Sequence, residues 1–397
     1  MRDRNRRVGV CGVAMLAVAL LVAVGVQAGE RDLATTAQRL VDQCAHIEEG
    51  DRVLVHGTTE HMDLLEEVVV HVRKRGAFPL LTVTNDDLIR RMFMEIPSKY
   101  DGQHPELDIK LAGIMDAAIL VTATENPALL ADVPEERLAA RGKAREHAYN
   151  AMLKHNVRIV GLGNALYPTK ATARQFGISQ ERLADIFWKG VNVDYRELQA
   201  ATDTVRTYLA AGNSVRITAD NGTDLRMRIQ GRPVHVNDGV ISPDDRRAGG
   251  AACQVWLPAG EVFLTPLPDT AEGTIVVDRH YFRGKEIRGL RLEFQAGRLA
   301  SMTAQSGIEP LKRLYDACGA GKDRFAALDV GVNPNVRIPP DSRMVAWMAS
   351  GMVTVGVGTN KWAGGDVSSD FALFTHLPMA TLEVDGRKLI DKGTLQP

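Results

Sequence analysis

Short apolar runs alternate with longer amphipathic stretches between residues 32 and 200. Runs of about five residues predict buried strands at 52–56, 79–83, 117–121 and 157–161. The stretches between them carry apolar residues at helical spacing, notably at 33–47, 62–74 and 135–154. Short strands that alternate with helices are typical of a parallel sheet covered on both faces.

The pattern changes after about residue 204, where apolar and polar residues alternate in pairs of short segments. Asn221-Gly222 separates 215–218 from 225–229, and Asp385-Gly386 separates 381–384 from 387–390. Such pairs with a tight turn between them predict β-hairpins. A third pair surrounds Ala296-Gly297, and one helix is predicted at 309–318.

These two patterns predict two domains. The first, at residues 29–203, is an α/β N-terminal domain with a parallel-rich, three-layer sheet. The second, at residues 204–397, is an α+β, antiparallel-rich C-terminal domain.

The first 28 residues have the pattern of a targeting segment. Four arginines in the first seven residues precede an apolar run at 8–26, and Val26 and Ala28 are small residues at −3 and −1. This predicts a signal peptide that is cleaved after Ala28, and therefore an exported protein, periplasmic or extracellular. The alternative is an uncleaved anchor, because the 19 residues of this run could just span a bilayer. Membrane contact would then be limited to this segment.

Composition and charge exclude several classes of protein. The chain has 397 residues, 45% hydrophobic and 24% charged, which is typical of globular proteins and not of disordered or fibrous ones. Its 48 basic and 49 acidic residues leave no general positive charge for binding nucleic acid. Cys44, Cys253 and Cys318, which follow the targeting segment, are too scattered to indicate a disulfide framework or a metal site.

Common catalytic motifs are absent, but one carboxylate is unusual. Gly161-Leu162-Gly163 follows a strand without the third glycine of a nicotinamide-binding loop, which favours an ordinary turn. Glu261 follows a Pro-Ala-Gly turn and begins an apolar strand, where burial of its charge is costly without compensation. It could be a metal ligand, or it could accept backbone N–H bonds in the turn.

The segment around Glu261 resembles the leucyl aminopeptidase or aminopeptidase T family, peptidase family M29. The resemblance extends over segments in both halves of the chain, at 47–54, 167–170, 231–240, 258–278, 327–334, 351–365 and 384–390. It implies a metallo-aminopeptidase of two domains, usually a homodimer, that acts on peptides. The family holds two divalent metals of the Zn or Co class, with a bridging water as nucleophile.

The resemblance also assigns ligand positions, of which only two are carboxylates here. Glu261 and Asp329 correspond to the two metal-ligand glutamates of the family. Four other ligand positions of the family carry residues that are not ionisable in this chain, namely Ala349, Thr354, Ala372 and Phe374. His376 lies two residues beyond Phe374 on the same strand face, where a shift of register would bring it inward.

Two functional hypotheses follow. The first is an exported M29-type metallo-aminopeptidase with a rebuilt site, which removes amino-terminal residues from peptides. The second is a catalytically inactive protein of the same fold that binds a peptide or a protein partner and needs no metal.

Overall fold

The computed structural model describes residues 33–396, so the predicted signal peptide lies outside the described residues. Within this range the strands are β1 Arg52–Thr58, β2 Phe78–Thr84, β3 Ala117–Val121, β4 Arg158–Leu162, β5 Ser214–Ala219, β6 Thr223–Arg228, β7 Val234–Asn237, β8 Gln254–Leu257, β9 Glu261–Leu264, β10 Glu272–Phe282, β11 Lys285–Gln295, β12 Arg298–Thr303, β13 Phe325–Gly331, β14 Val353–Gly358, β15 Ala372–Leu377, β16 Thr381–Val384, β17 Arg387–Asp391 and β18 Thr394–Leu395.

Helices cover the sheets and are concentrated in the first half of the described chain. They are α1 Leu33–Gln38, which continues as a π-helix at Arg39–Cys44, α2 Met62–Lys74, α3 Asp86–Met94, α4 Glu106–Ala112, α5 Glu135–Lys154, α6 Lys170–Phe176, α7 Gln180–Val191, α8 Tyr195–Ala211, α9 Pro243–Ala248 and α10 Glu309–Ala317. Single 3₁₀ turns occur at Thr59–His61, Ser98–Tyr100, Gly250–Cys253 and Lys361–Ala363. Within residues 33–396, no helix is both long enough and apolar enough to cross a membrane.

Sheet A is the parallel sheet, with strand order β2-β1-β3-β4-β8. Its central strands β3 and β4 are buried almost throughout, as expected for strands with helices on both faces. The last strand, β8, comes from the second half of the sequence. Its four residues, QVWL, form a short segment with three apolar residues, and such a segment does not by itself indicate which strand it will pair with.

The other two sheets are antiparallel. Sheet B has the order β12-β11-β10-β6-β5-β16-β17-β18 and contains all three predicted hairpins. Sheet C has the order β15-β14-β13-β9-β7. The predicted fold class, α/β followed by antiparallel-rich α+β, is therefore confirmed.

The division at residues 203 and 204 stays a prediction. Residue 203 lies inside helix α8, and the described residues belong to one compact unit. The largest hydrophobic core joins Val160 of sheet A with Val262 of sheet C. The three cysteines of the described chain are all buried and free.

The turn Pro258–Gly260 carries the chain from β8 in sheet A to β9 in sheet C. Asn333, which is fully buried, donates from Nδ2 to the carbonyl oxygens of Ala259, at 2.6 Å, and Gly190, at 3.1 Å. Gly260 has φ +120°, and a Cβ there would lie 2.6 Å from Cβ of Asn333. The turn therefore depends on a glycine and on one buried amide, which ties it to helix α7.

We expect Asn333→Ala to lower the free energy of unfolding by about 2–3 kcal/mol, because two buried carbonyl oxygens would lose their donor. Asn335→Ala is the matched control: this exposed amide donates to the Lys189 carbonyl oxygen at 3.3 Å, and its loss should cost under about 1 kcal/mol. Urea unfolding followed by circular dichroism measures both. Equal losses in the two variants would contradict the role given to Asn333.

Candidate functional site

One face of sheet C collects most of the residues that the resemblance singles out. Asp329 on β13 lies opposite Thr354 on β14, and Thr354 lies opposite His376 on β15. On the other side, Asp329 faces Phe263 of β9. Residues directly opposite each other on neighbouring strands project from the same face of a sheet, so these side chains form one row across it.

The remaining positions are placed by the two-residue repeat of a strand. Glu261 precedes Phe263 by two residues, and Phe374 and Ala372 precede His376 by two and four, so all three share the same face. Ala349 is not in a strand of the sheet; it is buried in the segment before β14, where it forms an isolated bridge to Asn333.

A cavity of about 250 Å³ opens on this face of sheet C, and we call it the aromatic cavity. It is lined by Tyr149, Asn164, Gln254, Trp256, Glu261, Phe263, Asp329, Trp347, Trp362 and Phe374. Six of these ten residues are aromatic, and none is positively charged. Among the predicted residues, Glu261, Asp329 and Phe374 line the cavity, whereas Thr354, Ala372 and His376 do not.

Glu261 is buried at the start of β9 and is held by two side-chain amides. Asn164 Nδ2 donates to Oε1 at 3.0 Å, and Asn237 Nδ2 donates to Oε2 at 2.5 Å. The Glu261 carboxylate thus accepts hydrogen bonds from two side-chain amides. It does not accept them from backbone N–H groups of the turn, which was the alternative to a metal ligand considered from the sequence. Burial raises the pKa of Glu261 to about 7, although both amides favour the charged form.

Asp329 is more isolated than Glu261. Its side chain is 3% exposed, and its Oδ1 is buried without a hydrogen-bond partner. Burial, with a further contribution from the charge of Glu261, raises the pKa of Asp329 well above its usual range. Glu261 and Asp329, which we call the carboxylate pair, are therefore two acidic groups without a cationic side chain in the cavity that they line.

His376 does not line the aromatic cavity and already contacts two neighbouring residues of the fold. Its Nδ1 is 2.9 Å from Thr354 Oγ1, and its ring meets the edge of Trp347 at a centroid distance of 5.3 Å. Burial, and then the proximity of His280, lower the pKa of His376 to about 3. The residue lines a different cavity, of about 340 Å³, together with Asp278 and Arg343. Its proposed role as a metal ligand stays a prediction.

The donor set does not fit the two divalent ions that the family resemblance implies. Within residues 33–396, no group of three or more His, Cys, Asp and Glu side chains is placed to hold a metal ion. The carboxylate pair supplies two side-chain ligands, whereas a protein zinc site ordinarily has three or four. Of the other eight residues that line the cavity, six are aromatic, and Asn164 and Gln254 carry neutral amides that already make hydrogen bonds, Asn164 to Glu261 and Gln254 to Tyr149 and the Trp362 carbonyl oxygen.

Several residues that shape the cavity were not predicted from the sequence. Asn164 and Asn237 each follow or end a strand, and Trp256, Trp347 and Trp362 are far apart in the chain. The Trp256 ring packs on Gly161, where a Cβ would lie 2.2 Å from Trp256 Cε3. Gly161 therefore makes room for a ring. A position of Asn164 just beyond a parallel strand was the available signal, since ligand sites gather at such strand ends.

We expect Asp329→Asn to be more stable than the wild type at pH 8. A carboxyl whose pKa is raised on folding keeps its proton while the unfolded chain loses it, so wild-type stability falls as pH rises from about 3.8 toward the folded pKa. Thermal melts should show a higher melting temperature for Asp329→Asn than for the wild type at pH 8, and a smaller difference at pH 4.5.

Asp316→Asn, at an exposed position, should stay within about 0.5 kcal/mol of the wild type at both pH values. A destabilised Asp329→Asn variant at pH 8 would mean that the carboxylate has a compensating partner.

Comparison with solved structures shows that the fold is a known one. Wild-type AmpT from Thermus thermophilus superposes with a TM-score of 0.70 at 18% identity, covering 92% of this chain and 99% of that one. The 2,5-dihydroxypyridine dioxygenase from Pseudomonas putida KT2440 superposes with a TM-score of 0.59 at 13% identity, covering 91% and 96%. At these identities the likeness is one of fold alone.

Sequence comparison gives the family. Aminopeptidase AmpS of Bacillus subtilis (strain 168) is 23% identical over 310 residues, which is 72% of this chain and 73% of that protein. The family model for the thermophilic metalloprotease (M29) matches residues 29–321. Proteins of this family are metal-dependent, and the aminopeptidase relatives support an aminopeptidase function. The resemblance read from the sequence is confirmed, and the chain belongs to peptidase family M29.

Proposed function

We propose that this protein is a non-hydrolytic member of family M29, which binds the amino-terminal part of a peptide in the aromatic cavity. The observation that carries the proposal is the lining of that cavity. The carboxylate pair is kept, but Phe374 occupies a position that the resemblance assigns to a metal ligand, and its ring packs against Trp347 at 4.5 Å. An apolar side chain can bind there, whereas a pair of divalent ions lacks ligands.

A binding role fits the physical character of the cavity. It is concave and mostly aromatic, with a few polar groups at fixed positions, as small-ligand sites usually are. The polar groups are themselves fixed. Tyr149 donates its hydroxyl hydrogen to Gln254 Oε1, and Gln254 Nε2 donates to the Trp362 carbonyl oxygen at 2.9 Å. This chain of bonds links helix α5 to the segment that carries Trp362.

The second candidate is an active metal-dependent aminopeptidase. Family membership favours it, and so does the carboxylate pair, because Glu261 and Asp329 retain the acidic character of two assigned ligand positions. An active enzyme would need further metal ligands besides the carboxylate pair. Within residues 33–396, no further His, Cys, Asp or Glu side chain lies close enough to the pair to complete such a site.

A hydrolysis assay distinguishes the two candidates. We expect no chelator-sensitive release of p-nitroaniline from leucine p-nitroanilide, with or without added Zn²⁺ or Co²⁺, since two carboxylates alone bind such ions weakly. Elemental mass spectrometry after removal of free ion should find no stoichiometric metal. Aminopeptidase AmpS of Bacillus subtilis, prepared in parallel, is the positive control.

Turnover that a chelator stops, and that Glu261→Ala abolishes, would establish the second candidate and end the first. Glu272→Ala is a suitable matched variant, because this exposed glutamate lies at the start of β10 and does not line the cavity.

We also propose that the protein is exported and forms a homodimer. Export is supported by the basic start, the apolar run at 8–26 and the small residues Val26 and Ala28. Dimerisation is supported by exposed apolar side chains on the edge strand β2, where Phe78 is 58% and Val83 is 42% exposed. An exposed sheet edge with apolar side chains is a ready surface for association.

Native mass spectrometry of protein expressed with its first 28 residues tests both points in one experiment. We expect a chain that begins at Gly29, present as a dimer. A chain that begins at Met1 would indicate a retained segment, and a monomer at micromolar concentration would contradict the dimer.

A further inference from the structure

Aromatic rings surround much of the cavity that contains the carboxylate pair. Trp347, Trp362 and Phe374 are mutual neighbours, with centroid distances of 6.3 Å between the two indoles and 4.5 and 5.6 Å from Phe374 to them. Phe263 extends this group, 5.2 Å from Trp362. Aromatic faces attract a cation placed within about 6 Å of the ring centroid, and more strongly where water is excluded.

The carboxylate pair gives the same region an acidic end with an unused acceptor. Asp329 Oδ1 is buried and has no donor, while both oxygens of Glu261 already accept amide bonds. A buried acceptor without a donor costs free energy, and a ligand that brings an N–H group would remove that cost. No Lys, Arg or His of the described chain lines the cavity to supply the missing positive charge.

The volume limits the size of the ligand. An apolar protein cavity of about 150 Å³ holds one benzene molecule. The aromatic cavity, at about 250 Å³, has room for one ring or branched alkyl group together with a short polar head.

We propose that the aromatic cavity binds a protonated primary amine attached to one apolar group, with the ammonium donating a hydrogen bond to Asp329 and the apolar group lying among the aromatic rings. The ammonium takes the place of a metal ion as the cation beside the carboxylate pair, so this inference rests on the proposed non-hydrolytic function. A quaternary ammonium would supply the charge but no N–H donor, and Asp329 Oδ1 would stay unpaired.

This ligand chemistry has two sources. The amino terminus of a peptide with an apolar first residue presents an α-ammonium beside its side chain. A free amine with an aryl or alkyl body presents the same two groups without the rest of the peptide. The cavity would bind the ammonium and the apolar group that both ligands have in common.

Titration calorimetry in chelator-containing buffer at neutral pH tests the proposal with 2-phenylethylamine, and 2-phenylethanol is the neutral probe of the same size. We expect the amine to bind at least roughly tenfold more tightly than the alcohol, as a charged hydrogen bond at a buried site implies. The phenethyltrimethylammonium ion should bind more weakly than the primary amine. Equal affinity for the alcohol, equal affinity for the quaternary ion, or no binding of the amine would each overturn the proposal.

Two variants locate the site. Asp329→Asn keeps the shape of the side chain but cannot give up a proton and become an anion when the ammonium binds, so it should weaken amine binding at least roughly tenfold while leaving the affinity for 2-phenylethanol unchanged. Phe374→Leu should weaken it roughly threefold to thirtyfold. Asp316→Asn is the control. The thermal melts of Asp329→Asn show whether the variant is folded under the titration conditions, and unchanged amine affinity in the folded variant would overturn the proposal.

Tryptophan fluorescence gives a second measurement. Three of the four tryptophans in the chain line the cavity, and Trp188 on helix α7 is the fourth. Trp188→Phe should therefore keep the fluorescence change on amine binding. Loss of the change in this variant would place the amine outside the cavity and overturn the proposal.

Titrations with the peptide Phe-Gly-Gly and its N-acetyl form distinguish a peptide amino terminus from a free amine as the ligand. Tighter binding of the peptide than of 2-phenylethylamine, abolished by acetylation, supports a peptide terminus as the ligand; the reverse order supports a free amine. Acetylated peptide that binds as well as the free peptide overturns the proposal. Hydrolysis with added metal would refute the non-hydrolytic function separately, because these titrations are done with chelator.

Discussion

The short turn Pro258–Gly260 fixes the position of the candidate site. It joins a strand of the parallel sheet directly to a strand of sheet C, so the residue that follows it, Glu261, is forced into the space between the two sheets. The backbone of the turn is held from both sides: Gly260 N–H donates to the Asn237 carbonyl oxygen at 2.8 Å, and Val332 N–H donates to the Gly260 carbonyl oxygen at 2.8 Å. A carboxylate placed this way cannot turn outward to reach water.

Because the carboxylate pair is buried, its negative charge must be compensated by a bound cation or removed by protonation. Removal of either carboxyl group from water disfavours its charge, and the charge of Glu261 further raises the cost of ionising Asp329. In a metallopeptidase, a pair of divalent ions answers this need and activates water at the same time. Here the flanking ligand positions carry Thr354 and Phe374, which cannot complete a metal shell. A monovalent organic cation needs no such shell, since aromatic faces and one acceptor are enough to hold it.

Much of the fold could be predicted because local chemistry determines it. Asn221-Gly222 and Asp385-Gly386 force tight hairpins, and the apolar runs of sheet A have no alternative to burial. The pairing of β8 with β4 could not be predicted, because a four-residue segment with three apolar residues carries no information about its partner strand. Family resemblance gave the carboxylate pair, but the aromatic rings come from separate loops and strands, and nothing in their spacing along the chain indicates that they meet.

Replacement of a metal ligand by an aromatic residue also requires space that the rest of the sheet must provide. A Cβ at Gly356 would lie 2.9 Å from Phe374 Cε1, so the ring occupies its place only because the opposite residue on β14 has no side chain. Gly161 serves Trp256 in the same way on sheet A. Both rings thus lie over a glycine in the neighbouring strand. Loss of a ligand alone would leave a gap in the cavity wall, whereas a ring matched to a glycine fills it at ordinary packing distance. The aromatic rings that line the aromatic cavity are therefore well packed around the carboxylate pair.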